Sequence, residues 1–292
     1  MNLVALLLPL FLIAGTGCLL ARTRWILPAW QDGLADLTAK LLIPVFLFAG
    51  AYRNGLPGSV SWQFLAAYYV PFVLLFGMAF FAFRRNAGSA LSAIYSNTVF
   101  VGVPVLVQAY DKDILQYVFP IIAFHALIGF TLYFLAEGGK RIGDALLNTL
   151  KNPIVVSLMA GLALNLTGVV FPLAATSVID LLSAATLPCA LLTLGASLAN
   201  LHVKNIGASL GIVFAKLFML PAGVYALAAL VFDLPAHATA ALVIIAACPV
   251  GVNTAAVVRA DGKDASLSSS AILLSSVACI ATIPIWLWIV RA

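Results

Sequence analysis

The chain has 292 residues, of which 64% are hydrophobic and 9% are charged, with a formal net charge of +5. Soluble domains carry about 25% charged residues, so this composition excludes a soluble protein and predicts an all-α polytopic membrane protein. The four cysteines and three histidines have no paired spacing, so we expect no disulfide framework, no metal site and no cofactor. The sequence contains no catalytic triad, phosphate-binding loop or nucleic-acid motif, which argues against an enzyme and a nucleic-acid partner.

Ten apolar segments approach the length of about 20 residues that a membrane-spanning helix needs. We expect spans at residues 3–21, 37–52, 62–83, 90–109, 115–136, 153–171, 177–199, 206–231, 238–258 and 266–290. The longest connection is polar and lies at the midpoint of the chain. It predicts a first five-helix repeat at 1–136, a connecting loop at 137–152 and a second five-helix repeat at 153–292. Because each half has an odd number of spans, the second half is inverted in the membrane relative to the first.

Basic residues are concentrated in alternate connections, and these connections are typically cytoplasmic. The odd-numbered loops contain Arg22, Arg24, Lys40, Arg84, Arg85, Lys140, Arg141, Lys151, Lys204, Arg259 and Lys263. The other loops and the tail contain only Arg53, Lys112 and Arg291. We therefore predict a multi-pass protein of the cytoplasmic (inner) membrane with a cytoplasmic connecting loop and both termini outside.

The fourth segment contains Asn97 and Thr98 followed by Gly102, Val103 and Pro104. Proline removes a backbone N–H group and clashes with the preceding turn. An unpaired backbone group in hydrocarbon costs several kcal/mol, so a break is tolerated only against protein or a water-filled cavity. The pattern predicts a discontinuous helix that lines a transport site.

The ninth segment repeats these ingredients, with Pro249 and Gly251 followed by Asn253 and Thr254. Pro104 and Pro249 are 145 positions apart in a chain of 292 residues. Broken apolar segments in matching positions of two halves are typical of a transporter binding site. The alternative is that Pro and Gly are simply common in membrane helices.

Two further proline pairs have nearly the same offset along the chain. Pro44 and Pro188 are 144 positions apart, and Pro71 and Pro221 are 150 positions apart. Together with the two broken segments, these pairs indicate an internal repeat.

A half-helix N-terminus carries roughly half a positive charge and unpaired N–H groups, which favours a carboxylate. We expect the substrate-binding residues to be Asn97, Thr98, Gly102, Val103, Pro104, Pro249, Gly251, Asn253 and Thr254. The alternative is that the Asn and Thr side chains only satisfy carbonyl groups that the prolines leave free.

Lys216 and His125 lie inside predicted spans, where an ionisable residue is expected to have a role. Lys216 attracts the substrate anion, replaces a bound cation, or bonds backbone carbonyl groups. His125 either couples transport to protons or is a packed structural residue. Because no Asp or Glu lies near a span centre, sodium coupling would need carbonyl and hydroxyl ligands.

The pattern Asn97-Thr98-x-Phe100-x-Gly102-x-Pro104 resembles the fourth-span signature of the auxin efflux carrier family. That family includes the plant PIN-type auxin exporters and bacterial permeases proposed for malate or malonate. The serine-rich last span, and a basic residue five positions before a proline in the eighth, are also similar to the family. The chain lacks the long loop of the plant exporters and therefore resembles a compact prokaryotic member.

The resemblance implies a fold like that of sodium/proton antiporters or bile-acid symporters. Spans 1, 2, 6 and 7 would form a scaffold, and spans 3–5 and 8–10 a mobile transport bundle. The broken spans 4 and 9 would cross near the bilayer midplane. The resemblance also implies an elevator-type movement and a homodimer formed through the scaffold.

The leading hypothesis is a secondary transporter for a small organic anion, either a monocarboxylate or a dicarboxylate. An exporter of auxin-like aromatic acids remains open within the carrier class. The alternatives outside it are a channel and a receptor or sensor that binds a carboxylate without transporting it. Coupling to protons or sodium also remains open.

Overall fold

The structure is a computed structural model that describes residues 3–55, 61–139, 143, 147, 150–199, 201 and 203–291. Over these residues the fold is helical, and its one isolated β-bridge is described below. The helices are α1 (Leu3–Arg22), α2 (Pro28–Asn54), α3 (Trp62–Ala82), α4 (Ala87–Ile94), α5 (Thr98–Tyr110), α6 (Leu115–Ala136), α7 (Pro153–Thr167), α8 (Leu173–Ala199), α9 (Ile206–Val231), α10 (Ala236–Ala247), α11 (Asn253–Ala260) and α12 (Ser266–Arg291). The predicted all-α class is confirmed.

Within the described residues, six helices are long and apolar enough to cross a membrane, namely α2, α3, α8, α9, α12 and α6 with the turn before it. The shorter apolar helices are Leu7–Arg22, α5, α7 and α10. Each predicted segment contains helix, and the helix that contains the second segment begins before it, at Pro28. Asp32 and Asp36 interrupt the apolar run there, and no side chain of Pro28–Leu37 is buried. Most of the predicted connecting loop lies outside the described residues.

Three of the prolines that lie within helices each follow, by two positions, a wide turn with i→i+5 hydrogen bonds. The prolines are Pro44, Pro104 and Pro221, and the turns are Thr38–Leu42, Thr98–Gly102 and Ala215–Met219. A wide turn adds a residue to the preceding turn and redirects the carbonyl groups that the proline ring would otherwise meet. These helices therefore pass through their prolines without unwinding.

Glycines bring two pairs of helices into backbone contact. A Cβ atom at Gly17 in α1 would lie within 3.0 Å of the Leu192 carbonyl oxygen in α8. A Cβ atom at Gly161 in α7 would lie within 3.0 Å of the Phe48 carbonyl oxygen in α2. Small residues allow membrane helices to pack this closely. Helices α1, α2, α7 and α8 thus form one packed group.

The remaining helices form a second group around the two interrupted helices. Helix α3 packs against α4 and α9, and α9 packs against α10 and α12. Helix α6 contacts α4 and α10. Gly102 allows α5 to approach α10 closely, because a Cβ atom there would lie 2.6 Å from Ile245 Cδ1.

The contact between α1 and α8 gives a stability prediction. Gly17→Leu should lower the melting temperature of the purified protein, because overpacking costs about 1–3 kcal/mol. The matched control is Gly15→Leu in the same helix, where a Cβ atom meets nothing within 4 Å. Equal melting temperatures for the two variants, measured by thermal unfolding in detergent, would contradict the close packing at Gly17.

Candidate functional site

Two short unwound segments interrupt the second group of helices. Residues 95–97 separate α4 from α5, and residues 248–252 separate α10 from α11. The second interruption lies where the sequence predicts it. The first interruption lies at the start of the predicted stretch 96–105 and not at Gly102, Val103 and Pro104, because these three residues continue α5 after a wide turn. The helix unwinds seven positions before them, at residues 95–97.

The two unwound segments are paired with each other through their backbones. The Asn97 N–H donates to the Pro249 carbonyl oxygen at 2.9 Å, and the Gly251 N–H donates to the Tyr95 carbonyl oxygen at 2.9 Å. These bonds close an isolated antiparallel β-bridge, and we call residues 95–97 and 248–252 the paired segments. Each segment thus provides hydrogen-bond partners for backbone groups of the other segment that have no partner within a helix.

Side chains from two other helices bond the central residues of the bridge. The Ser96 N–H donates to His125 Nε2 at 2.9 Å, and the Val250 N–H donates to Ser275 Oγ at 3.0 Å. His125 is 2% exposed, and its Nδ1 lies 3.5 Å from the Tyr68 hydroxyl oxygen. Since Nε2 accepts a hydrogen bond, the ring is neutral at that nitrogen. His125 therefore has a structural role in this conformation.

Asn97 combines a helix cap with a donor that has no partner. Its Oδ1 accepts from the Phe100 N–H at 3.3 Å and so caps the N-terminus of α5. The side chain is 4% exposed, and its buried Nδ2 donates to no group among the described residues. An unpaired buried amide is costly. This group is thus available to a ligand at a helix N-terminus.

A cavity of about 90 Å³ lies beside the paired segments. Of the predicted site residues, Asn97, Thr98, Gly251 and Asn253 line it together with His125. The remaining wall includes residues that the sequence analysis missed: Tyr95, Phe100, Ile122, Phe130, Asn152 and Ile154. Phe100 belongs to the motif of the fourth segment but was not predicted to bind. The others come from other helices or lie outside the motif, so no spacing in the sequence marks them.

The other predicted site residues lie away from this cavity. Gly102, Val103 and Pro104 are buried within the helices, and Pro249 accepts the bridge hydrogen bond. Thr254 is fully buried, and its hydroxyl donates to the Gly251 carbonyl oxygen at 2.9 Å. This bond is the one expected if the threonine only satisfies a freed carbonyl group.

Lys216 is fully buried, and its ammonium group donates to the Ala246 carbonyl oxygen at 2.5 Å. This carbonyl belongs to the last turn of α10, where the helix dipole is negative. Lys216 is not among the residues that line the cavity. Of the three predicted roles, the contact supports bonding of backbone carbonyl groups.

Comparison with known proteins identifies the family of this chain. A family model described as "Membrane transport protein" matches residues 3–287. The chain belongs to this family. The resemblance to auxin efflux carriers is thereby confirmed, and the chain is an integral membrane transporter rather than an enzyme.

A protein of Rhizobium meliloti (strain 1021) is similar over its full length. It is 25% identical over 309 aligned positions, which cover 100% of this chain and 97% of that protein. Its name is "Putative malonate transporter". The family and this relative together indicate a small-molecule substrate.

The bridge gives a prediction that concerns folding rather than transport. His125→Phe and Ser275→Ala each leave one buried backbone N–H without its partner, which costs about 1–3 kcal/mol. Both variants should lower the melting temperature of the purified protein. The control is His237→Phe, because His237 is exposed and caps no backbone group among the described contacts. If His125→Phe melted at the same temperature as the control, the bond to Ser96 would not stabilise the bridge.

Proposed function

We propose that the protein is a secondary transporter that carries a small mono- or dicarboxylate across the cytoplasmic membrane. The substrate binds in the cavity beside the paired segments. The observation that carries this proposal is the buried Nδ2 of Asn97, which has no partner among the described residues and lies at the start of α5.

The electrostatics of this position favour an anion. The N-terminus of α5 carries roughly half a positive charge, and a carboxylate accepts hydrogen bonds from the Asn97 amide. Asn152 and Asn253 add amide groups to the wall, and both can donate or accept. The name of the Rhizobium meliloti relative, "Putative malonate transporter", supports the same substrate class.

The size of the cavity favours a short acid over an auxin-like aromatic acid. Its volume of about 90 Å³ is small beside the pockets that hold drug-sized ligands. Tyr95, Phe100 and Phe130 provide aromatic walls, so an exporter of aromatic acids remains the second candidate within the carrier class.

The proposal includes ten spans arranged as two inverted repeats, 1–136 and 153–292. Two glycine contacts support it, because Gly17 meets Leu192 and Gly161 meets Phe48. Gly161 lies 144 positions after Gly17, and Phe48 lies 144 positions before Leu192. In each contact, therefore, the glycine of one half packs against the other half of the chain. An inverted repeat requires this relation between its two halves.

The division into two packed groups supports an elevator-type movement. The scaffold is α1, α2, α7 and α8, and the transport bundle contains the paired segments. The cavity wall includes Ile154 from the scaffold and His125 from the bundle, so a ligand lies between the two groups. A homodimer through the scaffold, outward-facing termini and coupling to protons or sodium belong to the same proposal.

Asn97 allows the substrate donor to be separated from the helix cap. Asn97→Asp keeps an oxygen that caps α5, removes the Nδ2 donor and adds a negative charge beside the cavity. It should lower malonate uptake into proteoliposomes by at least about tenfold, with little change in melting temperature. Asn97→Ala should lower both uptake and stability, because it removes the cap and the donor together.

The uptake assay uses malonate, malate, pyruvate and indole-acetate, with and without imposed proton and sodium gradients. The matched control is Asn165→Asp, because Asn165 bonds the Tyr52 carbonyl oxygen far from the cavity. Saturable uptake that persists in Asn97→Asp would contradict the site. Binding of an acid without any flux would favour the sensor, and flux that does not saturate would favour a channel.

A further inference from the structure

A second cavity lies against Pro249 of the paired segments and shares no lining residue with the first. Its volume is about 240 Å³. It is bounded by α1 and α8 of the scaffold and by α5 and α12 of the bundle. The proposed substrate site does not account for it.

The wall of this cavity is long and apolar. On α1 it runs from Leu10 through Ala14 and Cys18 to Arg22, which is about 18 Å at 1.5 Å per residue. The facing surfaces are provided by leucines of α8, such as Leu194, and by aliphatic side chains of α12. An apolar slot of this shape fits an extended hydrocarbon chain better than a compact solute.

One end of the cavity is cationic. Arg22 lies in the last turn of α1. It is an exposed residue and forms part of the cavity wall. A guanidinium group binds carboxylate and phosphate oxygens in a bidentate geometry. The combination of an apolar slot with a guanidinium at its end is complementary to an amphiphile with an anionic head.

We propose that this second cavity binds the acyl chain of an anionic amphiphile and that Arg22 binds its head group. A fatty-acid carboxylate and a phospholipid phosphate present the same chemistry to Arg22. The chain of either one occupies the space between scaffold and bundle.

Gly15 offers a direct test, because it lines the cavity and a Cβ atom there would meet nothing within 4 Å. Gly15→Leu therefore adds a side chain at the wall of the slot, and its Cβ atom causes no clash. The matched control is Gly207→Leu, which is equally unhindered but lies outside the cavity. Arg22→Gln removes the cation, and its control is Arg24→Gln on the adjacent surface.

The experiment is photolabelling of the purified full-length protein with a long-chain fatty acid that carries a diazirine in its chain. We expect labelled peptides from α1, α5, α8 or α12, and we expect oleate to compete with the label. Gly15→Leu should reduce this labelling by about tenfold and Arg22→Gln by several-fold, with both controls unchanged. Oleate should also slow alkylation of Cys18, which lines the slot, by a maleimide.

Labelling confined to other helices, or labelling of Gly15→Leu equal to that of its control, would overturn the proposal. Native mass spectrometry then identifies the source of the amphiphile, with protein taken from nanodiscs of phosphatidylglycerol or phosphatidylcholine, with and without oleate. Retained phosphatidylglycerol identifies a phospholipid, and retained oleate alone identifies a free fatty acid. Retention of neither would contradict the site.

Discussion

The fold depends on the pairing of two backbone segments that have left the helical conformation among apolar helices. Unpaired N–H and carbonyl groups are costly there, so neither segment is stable without the other. Two backbone bonds join Asn97 to Pro249 and Gly251 to Tyr95. His125 and Ser275 then bond the N–H groups that remain at the centre of the bridge, and this draws α6 and α12 onto it.

The polar side chains near this bridge differ in whether their bonding capacity is used. Lys216 and Thr254 each donate a hydrogen bond to a backbone carbonyl oxygen at or near an interruption. Their polar groups therefore stabilise the protein's own backbone. Asn97 uses only its oxygen, and the nitrogen of the same amide remains available at the edge of a cavity. This difference separates the residue proposed to bind substrate from those that maintain the break. The unwound segment at Asn97 therefore lies where its unpaired amide nitrogen faces the cavity.

The sequence predicts the helical membrane class and the family because both depend on composition and on local motifs. It places the second interruption correctly, where Cys248, directly before Pro249, takes the extended conformation that ends α10. It attributes the first one to Gly102 and Pro104 as well as to the residues before them. Hydrogen-bond register decides whether a helix passes through Pro104, and register leaves no mark in the residues. Tyr95 was missed for a different reason, since only the tertiary pairing brings its backbone and ring against Gly251.

The pairing of the two segments is tested most directly by a disulfide between Ser96→Cys and Val250→Cys, in a protein whose four native cysteines are replaced by alanine. Residues in such a non-hydrogen-bonded pair have Cα atoms about 4.5 Å apart, within the range that a disulfide spans. We predict that mild oxidation joins these two positions, as detected by mass spectrometry of the linked peptides. A pair one helical turn away, Ser92→Cys with Val250→Cys, should not be joined. Failure of the first pair to form a disulfide, or equal reaction of both pairs, would contradict the bridge and the site built on it.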